Sequence, residues 1–332
     1  MGANLLEKMR ERRVPLVAFI ELTNRCNLDC VHCMRPKSSK GELTRGEFEN
    51  IISELSRLGC LNLSFTGGEP LLHEDFFDLA DYAKGKNYNI KISSNGTLID
   101  EKVIPLLKKL QSALVQISLY GATSEVHDPI TRIPGSHRRT LSAIRLLTAN
   151  AIRVQVHMPV MKQNFSEFSR VRYLAAKEGW KFSSDFVIYP GYDGSMNPIE
   201  NRITDEQLAT ARRRHYFDQE DFIRPRKAAG DFCNRHDLAT VSCRISSLGE
   251  VFPSGTVRLK MGNLREGSFH DIWFDSDTAR RLRGISESDY ECSGCREFER
   301  CSWDIGLALA EEGKVTSTPN EWCRFVKKER KP

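Results

Sequence analysis

Long hydrophobic runs are missing from this sequence of 332 residues. No apolar stretch approaches the ~20 residues that a bilayer-spanning helix needs, which excludes a membrane-spanning helix. Met1 to Arg13 is charged and holds no hydrophobic stretch before a small-residue cleavage site, so no export signal is visible and a cytoplasmic location is expected. A strong charge excess is lacking too, since the formal net charge is only +5. The basic runs Arg212-Arg213-Arg214-His215 and Arg324 to Lys331 have neither interleaved aromatics nor an RNA-binding motif. They read as solvated faces that offer at most a dock for acidic substrates, and no nucleic-acid partner is expected.

Cysteine is plentiful, at ten residues. In a chain without an export signal these argue for metal binding rather than disulfides, because cytosolic thiols are kept reduced. The stretch Cys26-Asn27-Leu28-Asp29-Cys30-Val31-His32-Cys33 offers three thiols in C-x3-C-x2-C spacing with no fourth cysteine nearby. A cubane iron–sulfur cluster is normally closed by four thiolates, so three leave one iron open to a ligand that is not protein. A structural zinc site, which wants four ligands, and simple buried thiols are the competing readings. His32 reads as packing beside the site rather than as a ligand, and Cys60 reads as core.

Beyond the cysteine loop the pattern alternates. Leu16 to Leu22 reads as a buried strand feeding the loop, and Thr44-Arg45-Gly46-Glu47 is a capping box opening a helix with Phe48, Ile51, Ile52, Leu55 and Leu58 on one face. Strands are expected at Leu61–Phe65, Asn89–Ser93, Leu114–Leu119, Val154–Val160 and Phe182–Ile188. Helices are expected at Phe76–Ala83, Glu101–Leu110, Arg139–Thr148 and Phe165–Lys177. Such alternation implies βαβ units and a parallel sheet, with too few repeats for a closed eight-stranded barrel. Ligands of parallel α/β folds sit at the carboxyl ends of the strands, where the cysteine loop, Gly67-Gly68-Glu69, Ser94-Asn95 and Ser118 all fall. Tyr189 to Asn201 reads as a loop and Thr204 to Tyr216 as a polar helix. From about Asp231 the chain is cysteine-rich and poor in periodicity. The expected organisation is residues 1–200, a linker or helical bridge over 201–230, and a small domain over 231–332.

The cysteine triplet resembles the signature of the radical S-adenosylmethionine (SAM) superfamily. Ser64-Phe65-Thr66-Gly67-Gly68-Glu69-Pro70 resembles its GGEP segment, and Ser93 to Thr97 and Gln116 to Gly121 resemble its later strand ends. The resemblance implies a partial (β/α)6 parallel barrel, with Cys26, Cys30 and Cys33 holding a [4Fe–4S] cluster whose open iron binds SAM. It implies cofactor contacts from Gly67, Gly68, Glu69, Pro70, Ser94, Asn95, Ser118 and Arg132, and a 5′-deoxyadenosyl radical that removes hydrogen from an unactivated carbon. Gly67-Gly68 would let backbone approach the ligand, and Glu69 would help to hold the loop.

A second cysteine set, Cys292, Cys295, Cys301 and Cys323, has C-x2-C-x5-C-x21-C spacing and can close a zinc site or a four-iron cluster. Together with Cys233, Gly249-Glu250-Val251-Phe252-Pro253, Gly262-Asn263-Leu264 and Asp271-Ile272-Trp273, it resembles the SPASM extension of peptide maturases. That extension usually carries two auxiliary [4Fe–4S] clusters, and the quartet matches the ligands of the second. Ser254 and Ile305 stand where the pattern has cysteines, so a single auxiliary cluster is expected. Cys233 and Cys243 then become candidate hydrogen-atom donors for an epimerisation. The implied function is radical modification of a ribosomally made peptide, served by a low-potential reductant such as flavodoxin or ferredoxin. Because the barrel begins close to Met1, a separate leader-peptide recognition protein is expected. The competing functions are epimerisation or dehydrogenation of an aminosugar-type natural product, tetrapyrrole side-chain modification and, from another class, non-catalytic electron carriage.

Overall fold

The computed structural model describes residues 3–36, 40–111, 113–217, 238–299 and 301–326. The chain divides into two units, one comprising Phe19–Gln207 with Ser246–Leu248, the other Met1–Ala18, Leu208–Ile245 and Gly249–Pro332. Chain order begins with α1 (Ala3–Arg12) and β1 (Val17–Glu21). It continues through α2 (Arg45–Arg57), β2 (Asn62–Thr66), α3 (Phe76–Gly85), β3 (Asn89–Ser94), α4 (Ile104–Lys109) and β4 (Leu114–Ser118). Then follow α5 (Ser124–Thr131), α6 (Ser136–Ala149), β5 (Arg153–Pro159), α7 (Phe168–Lys177) and β6 (Lys181–Asp185). The strands from β1 to β6 lie side by side in sequence order, and every pair from β2 to β6 is parallel. This is the alternating α/β architecture expected from the sequence.

Local chemistry explains the elements. The Thr44 hydroxyl accepts from the Glu47 amide while the Glu47 carboxylate accepts from the Thr44 amide at 2.7 Å, completing the capping box of α2. Phe48, Ile51, Ile52 and Leu55 then bury one face of that helix, each worth about 1.5–3 kcal/mol relative to exposure. Along the strands Ile90, Ile92, Val115, Ile117, Val154, Val156 and Met158 are buried, and helices α3, α6 and α7 pack on the sheet. The alternate positions point the other way, and they are polar. Two cross-strand rows result, Ser93–Gln116–Gln155 and Ser118–His157–Ser183.

Four details differ from the sequence reading. Two helices rather than one separate β4 from β5, because Arg132 in the left-handed region ends α5 and Gly135, also left-handed, precedes α6. Helix α4 starts three residues later than expected, since the Asp100 carboxylate accepts from the Lys102 and Val103 amides in a turn. Strand β6 ends at Asp185, and the buried Phe186 to Ile188 continue outside the ladder. Finally, the first eighteen residues belong with the carboxyl-terminal unit rather than with the barrel. The Leu16 amide donates to the Val241 carbonyl at 2.7 Å, and the Trp273 indole donates to the Arg13 carbonyl at 2.7 Å. The division between the units falls between Gln207 and Leu208, and residues 218–230 of the expected bridge lie outside the described residues.

The carboxyl-terminal unit contains α8 (Asp205–Arg213) from Leu208 onward and the antiparallel strands β7 (Ser242–Ile245), β8 (Glu250–Phe252) and β9 (Gly262–Asn263). Helices α9 (Phe269–Asp275), α10 (Asp277–Arg283), α11 (Ile305–Glu312) and α12 (Asn320–Val326) complete it. It has an apolar core of its own around Leu238, Val257, Leu282, Tyr290, Phe298, Trp303 and Ile305, against which Cys292 and Cys301 pack. The poor periodicity hid this core because aromatics on short, irregular segments build it.

Candidate metal and cofactor site

The cysteine loop leaves β1 between two supports. On one side, the Glu42 carboxylate accepts from the Thr23 hydroxyl at 2.9 Å and from the Asn24 amide at 2.6 Å. On the other, the Asp29 and Val31 amides donate to the Thr131 and Ile130 carbonyls, each at 3.0 Å, fastening the loop to the end of α5. Cys26, Cys30 and Cys33 all line one cavity of about 210 Å3, with Gly68 and Arg35 among its other walls. Arg35 is anchored by Glu21 at 3.0 Å. Burial raises the Cys26 thiol, with the charges of Glu69 and Cys33 adding to it. Burial also pushes Cys30 up to about 12, reinforced by its two companion cysteines. Protons crowded onto adjoining thiols in this way are those a metal displaces on binding.

The GGEP segment packs against the entrance to that loop. A Cβ at Gly68 would lie 2.1 Å from the Arg25 carbonyl oxygen, and one at Gly67, whose φ is +138°, would lie 2.4 Å from that of Thr23. The Gly68 amide donates to the Thr23 carbonyl at 2.6 Å and the Glu69 amide to the Arg25 carbonyl at 2.8 Å. The glycines are therefore demanded by the chain's own backbone. Glu69 is fully buried, and its carboxylate accepts from the Ser94 hydroxyl at 2.8 Å, the Asn95 amide at 2.7 Å and the Leu71 amide at 3.2 Å. Burial raises its pKa to about 7 against these donors. Pro70 opens the short 3-10 turn that follows and is buried.

The remaining candidates ring the same loop. The Ser94 hydroxyl donates to Glu69 at 2.8 Å and accepts from the Gly96 amide at 2.9 Å. The Asn95 side-chain amide reaches Asn27 at 2.8 Å and comes within 3.9 Å of the Cys26 sulfur. Ser118 ends β4 within hydrogen-bond reach of Tyr120, whose hydroxyl is 4.0 Å from the Cys30 sulfur. Arg132 is exposed, with its guanidinium 3.5 Å from the Asp29 carboxylate. His32 is half-buried and packs edge-on to Tyr120, with ring centroids 5.0 Å apart. Burial, aided by the charge of His157, lowers its pKa to about 4, so the imidazole is neutral.

Sequence reasoning missed a polar group on the face of the sheet turned away from the helices. His157 bridges the Ser183 hydroxyl at 3.0 Å and the Asp185 carboxylate at 3.3 Å. Lys91 lies on the same face, and its ammonium is lowered by burial more than the charge of Asp185 raises it. A lysine and a histidine inside strands of a parallel sheet, which otherwise read as near-continuous apolar runs, were the available signal.

In the carboxyl-terminal unit, Cys292, Cys301 and Cys323 are half-buried and Cys295 is exposed. Ser254 uses its hydroxyl to accept from the Val257 amide at 3.1 Å, and Ile305 is wholly buried at the start of α11. Both positions are thus committed to the unit's own packing. Cys243 is also wholly buried, in β7. Cys233 lies outside the described residues. Among the described residues no three cysteine sulfurs lie within 4.8 Å of one another.

Comparison with known proteins agrees with this donor set. The radical SAM superfamily model matches residues 20–172, and a SPASM iron–sulfur cluster-binding domain model matches residues 233–301. The chain is 29% identical to an AdoMet-dependent heme synthase of Methanosarcina barkeri over 90% of its own length and 93% of that protein's. It is likewise 29% identical to the mycofactocin maturase MftC of Mycobacterium tuberculosis, over 93% of this chain and 83% of that one. Its fold matches that of Streptococcus suis SuiB bound to the precursor peptide SuiA, with a TM-score of 0.73 at 16% identity, covering 96% of this chain and 79% of the other. The family brings a [4Fe–4S] cluster with SAM, and the SPASM region brings auxiliary iron–sulfur chemistry. With three thiols on one loop walling a single cavity, the chain belongs to the radical SAM superfamily and is an enzyme of its SPASM type.

Proposed function

We propose that this chain is a maturase acting on a ribosomally made peptide, with Cys26, Cys30 and Cys33 holding the SAM-binding cluster. The observation that carries the reading is the convergence of those three thiols and Gly68 on one cavity. Likeness to the maturase MftC and, in fold, to SuiB with its precursor peptide supports the peptide substrate. When bound, the cluster and SAM supply a 5′-deoxyadenosyl radical able to take hydrogen from an unactivated carbon.

The chain's own residues hold and shield that chemistry. Glu42 and the carbonyls of Ile130 and Thr131 fix the loop, so the three thiols are presented together. Glu69 pins the GGEP segment to the end of β3 and orients Asn95 toward Cys26. The buried Tyr120 ring, with the half-buried His32 packed edge-on against it, backs the site. Gly68, which lines the cavity, and Asn95, beside Cys26, together with Gly67, Ser118 and Arg132 are the groups assigned to contact SAM. The polar face bearing Lys91, His157 and Asp185 lines the substrate side. Cys292, Cys295, Cys301 and Cys323 hold one auxiliary cluster, with Ser254 and Ile305 in place of the cysteines of another. A cytoplasmic setting and a low-potential flavodoxin or ferredoxin suit reduced thiols, and a separate recognition protein delivers the peptide leader.

Tetrapyrrole side-chain modification is the second reading, favoured by the near full-length match to the heme synthase. Anaerobic turnover with candidate precursor peptides and with tetrapyrroles, scored for 5′-deoxyadenosine, separates the two. Peptide-dependent 5′-deoxyadenosine is expected; formation only with a tetrapyrrole overturns the peptide assignment. Replacing Cys26, Cys30 and Cys33 with alanine should cost about half of the bound iron while leaving the auxiliary centre. No loss of iron would overturn the metal assignment.

A further inference from the structure

The two polar side chains nearest the cysteine sulfurs come from the ends of β3 and β4, and each is held by neighbours that leave it little choice of direction. Asn95 is fixed through its amide by Glu69 and through its side-chain oxygen by the Thr97 amide and hydroxyl, at 2.8 and 2.7 Å. Its side-chain nitrogen lies 3.9 Å from the Cys26 sulfur, which also receives the Leu28 amide at 3.4 Å. Tyr120 is buried. Its main-chain amide donates to the buried His127 at 3.2 Å, and its ring packs against His32 and His127 with centroids 5.0 and 5.2 Å away. This clamp aims the hydroxyl at Cys30, whose sulfur is 4.0 Å off.

A thiol can donate to that hydroxyl, but a metal-bound thiolate can only accept. Iron binding therefore reverses the bond and makes the tyrosine its donor. Hydrogen bonds to the sulfurs are among the factors that set the potential of an iron–sulfur cluster, because they stabilise the more electron-rich state. The Tyr120–Cys30 contact is partly buried, where such a bond is stronger than in water. Resting on the reading that the loop holds a cluster, we propose that Tyr120 and Asn95 are positioning residues that donate to the Cys30 and Cys26 thiolates and raise the reduction potential of the centre. Ser118, within reach of the same hydroxyl, would then orient the tyrosine as well as flank the cofactor.

The test is a redox titration of the reconstituted full chain, following the paramagnetic signal of the cluster that responds to added SAM. Tyr120→Phe keeps the ring packed against both histidines but removes the donor, so the midpoint should move to more negative potential at unchanged iron content. Asn95→Ala should move it the same way. Replacing Tyr120 with 3-fluorotyrosine strengthens the donor without loss of shape and should shift the midpoint the opposite way. This arm decides the matter if the phenylalanine variant fails to load iron. A purely structural role predicts a single midpoint for wild type, the phenylalanine variant and the fluorinated protein, and that result overturns the proposal. Wild-type protein that binds no iron would instead refute the cluster reading on which it rests.

Discussion

Glu69 offers a test that needs neither cofactor nor substrate. Its carboxyl group is fully buried and titrates at about 7, against 4.5 ordinarily, because burial penalises the charged form more than its three donors favour it. The folded chain thus holds this proton more tightly than the unfolded chain. The resulting stabilisation is complete below pH 4.5 and falls as pH rises, until it is gone above about 7. At about 1.4 kcal/mol for each tenfold difference in proton affinity, the loss across that window is about 3 kcal/mol. Glu69→Gln cannot titrate, and its amide faces the Asn95 N–H with a donor instead of an acceptor, a pH-independent cost of ~1–3 kcal/mol. Urea unfolding of the metal-free proteins from pH 4.5 to 8 should therefore show wild type more stable at the acid end, with its lead shrinking by about 3 kcal/mol toward neutrality. A lead that stays constant, or grows with pH, would refute the burial argument for this carboxyl.

Two further substitutions probe the same unit. Gly68→Ala sets a methyl group against the Arg25 carbonyl and forces two hydrogen-bonded backbone segments apart, so it should cost about 3–5 kcal/mol in urea unfolding and reduce iron loading. Retention of both would mean that the glycine is not needed for this approach. Lys91→Met removes a cation that has no acidic group within ion-pair distance among the described residues. It should stabilise the metal-free chain by about 1 kcal/mol while lowering product yield, whereas destabilisation would contradict the reading of Lys91 as a charge kept for substrate.

The alternation of strands and helices was legible because the apolar face of each element repeats with its own period. The capping box at Thr44 and Glu47 was legible because both of its hydrogen bonds are local in sequence. Cys26, Cys30 and Cys33 announced themselves by spacing. What the sequence withheld depends on contacts between distant segments. The carbonyls of Thr23 and Arg25 that require glycine at 67 and 68 lie more than forty residues earlier in the chain. The bond from the Ser94 hydroxyl to Glu69, and the burial of Cys243 in β7, are of the same kind.

The polar residues facing away from the helices carry a more general consequence. A sheet whose second face were simply core would place aliphatics at Lys91, Gln116, Gln155 and His157, since helices already cover the first. Burying these groups costs free energy unless they are partnered, and the sheet supplies partners unevenly. His157 has both Ser183 and Asp185, whereas burial of Lys91 outweighs its only charged influence, Asp185. The imbalance falls on the strand next to Ser118, where Lys91 is level with Leu114. Such a face fits a fold that confines polar substrate within reach of a reactive centre, where groups left short of partners in the empty protein are completed by what binds there.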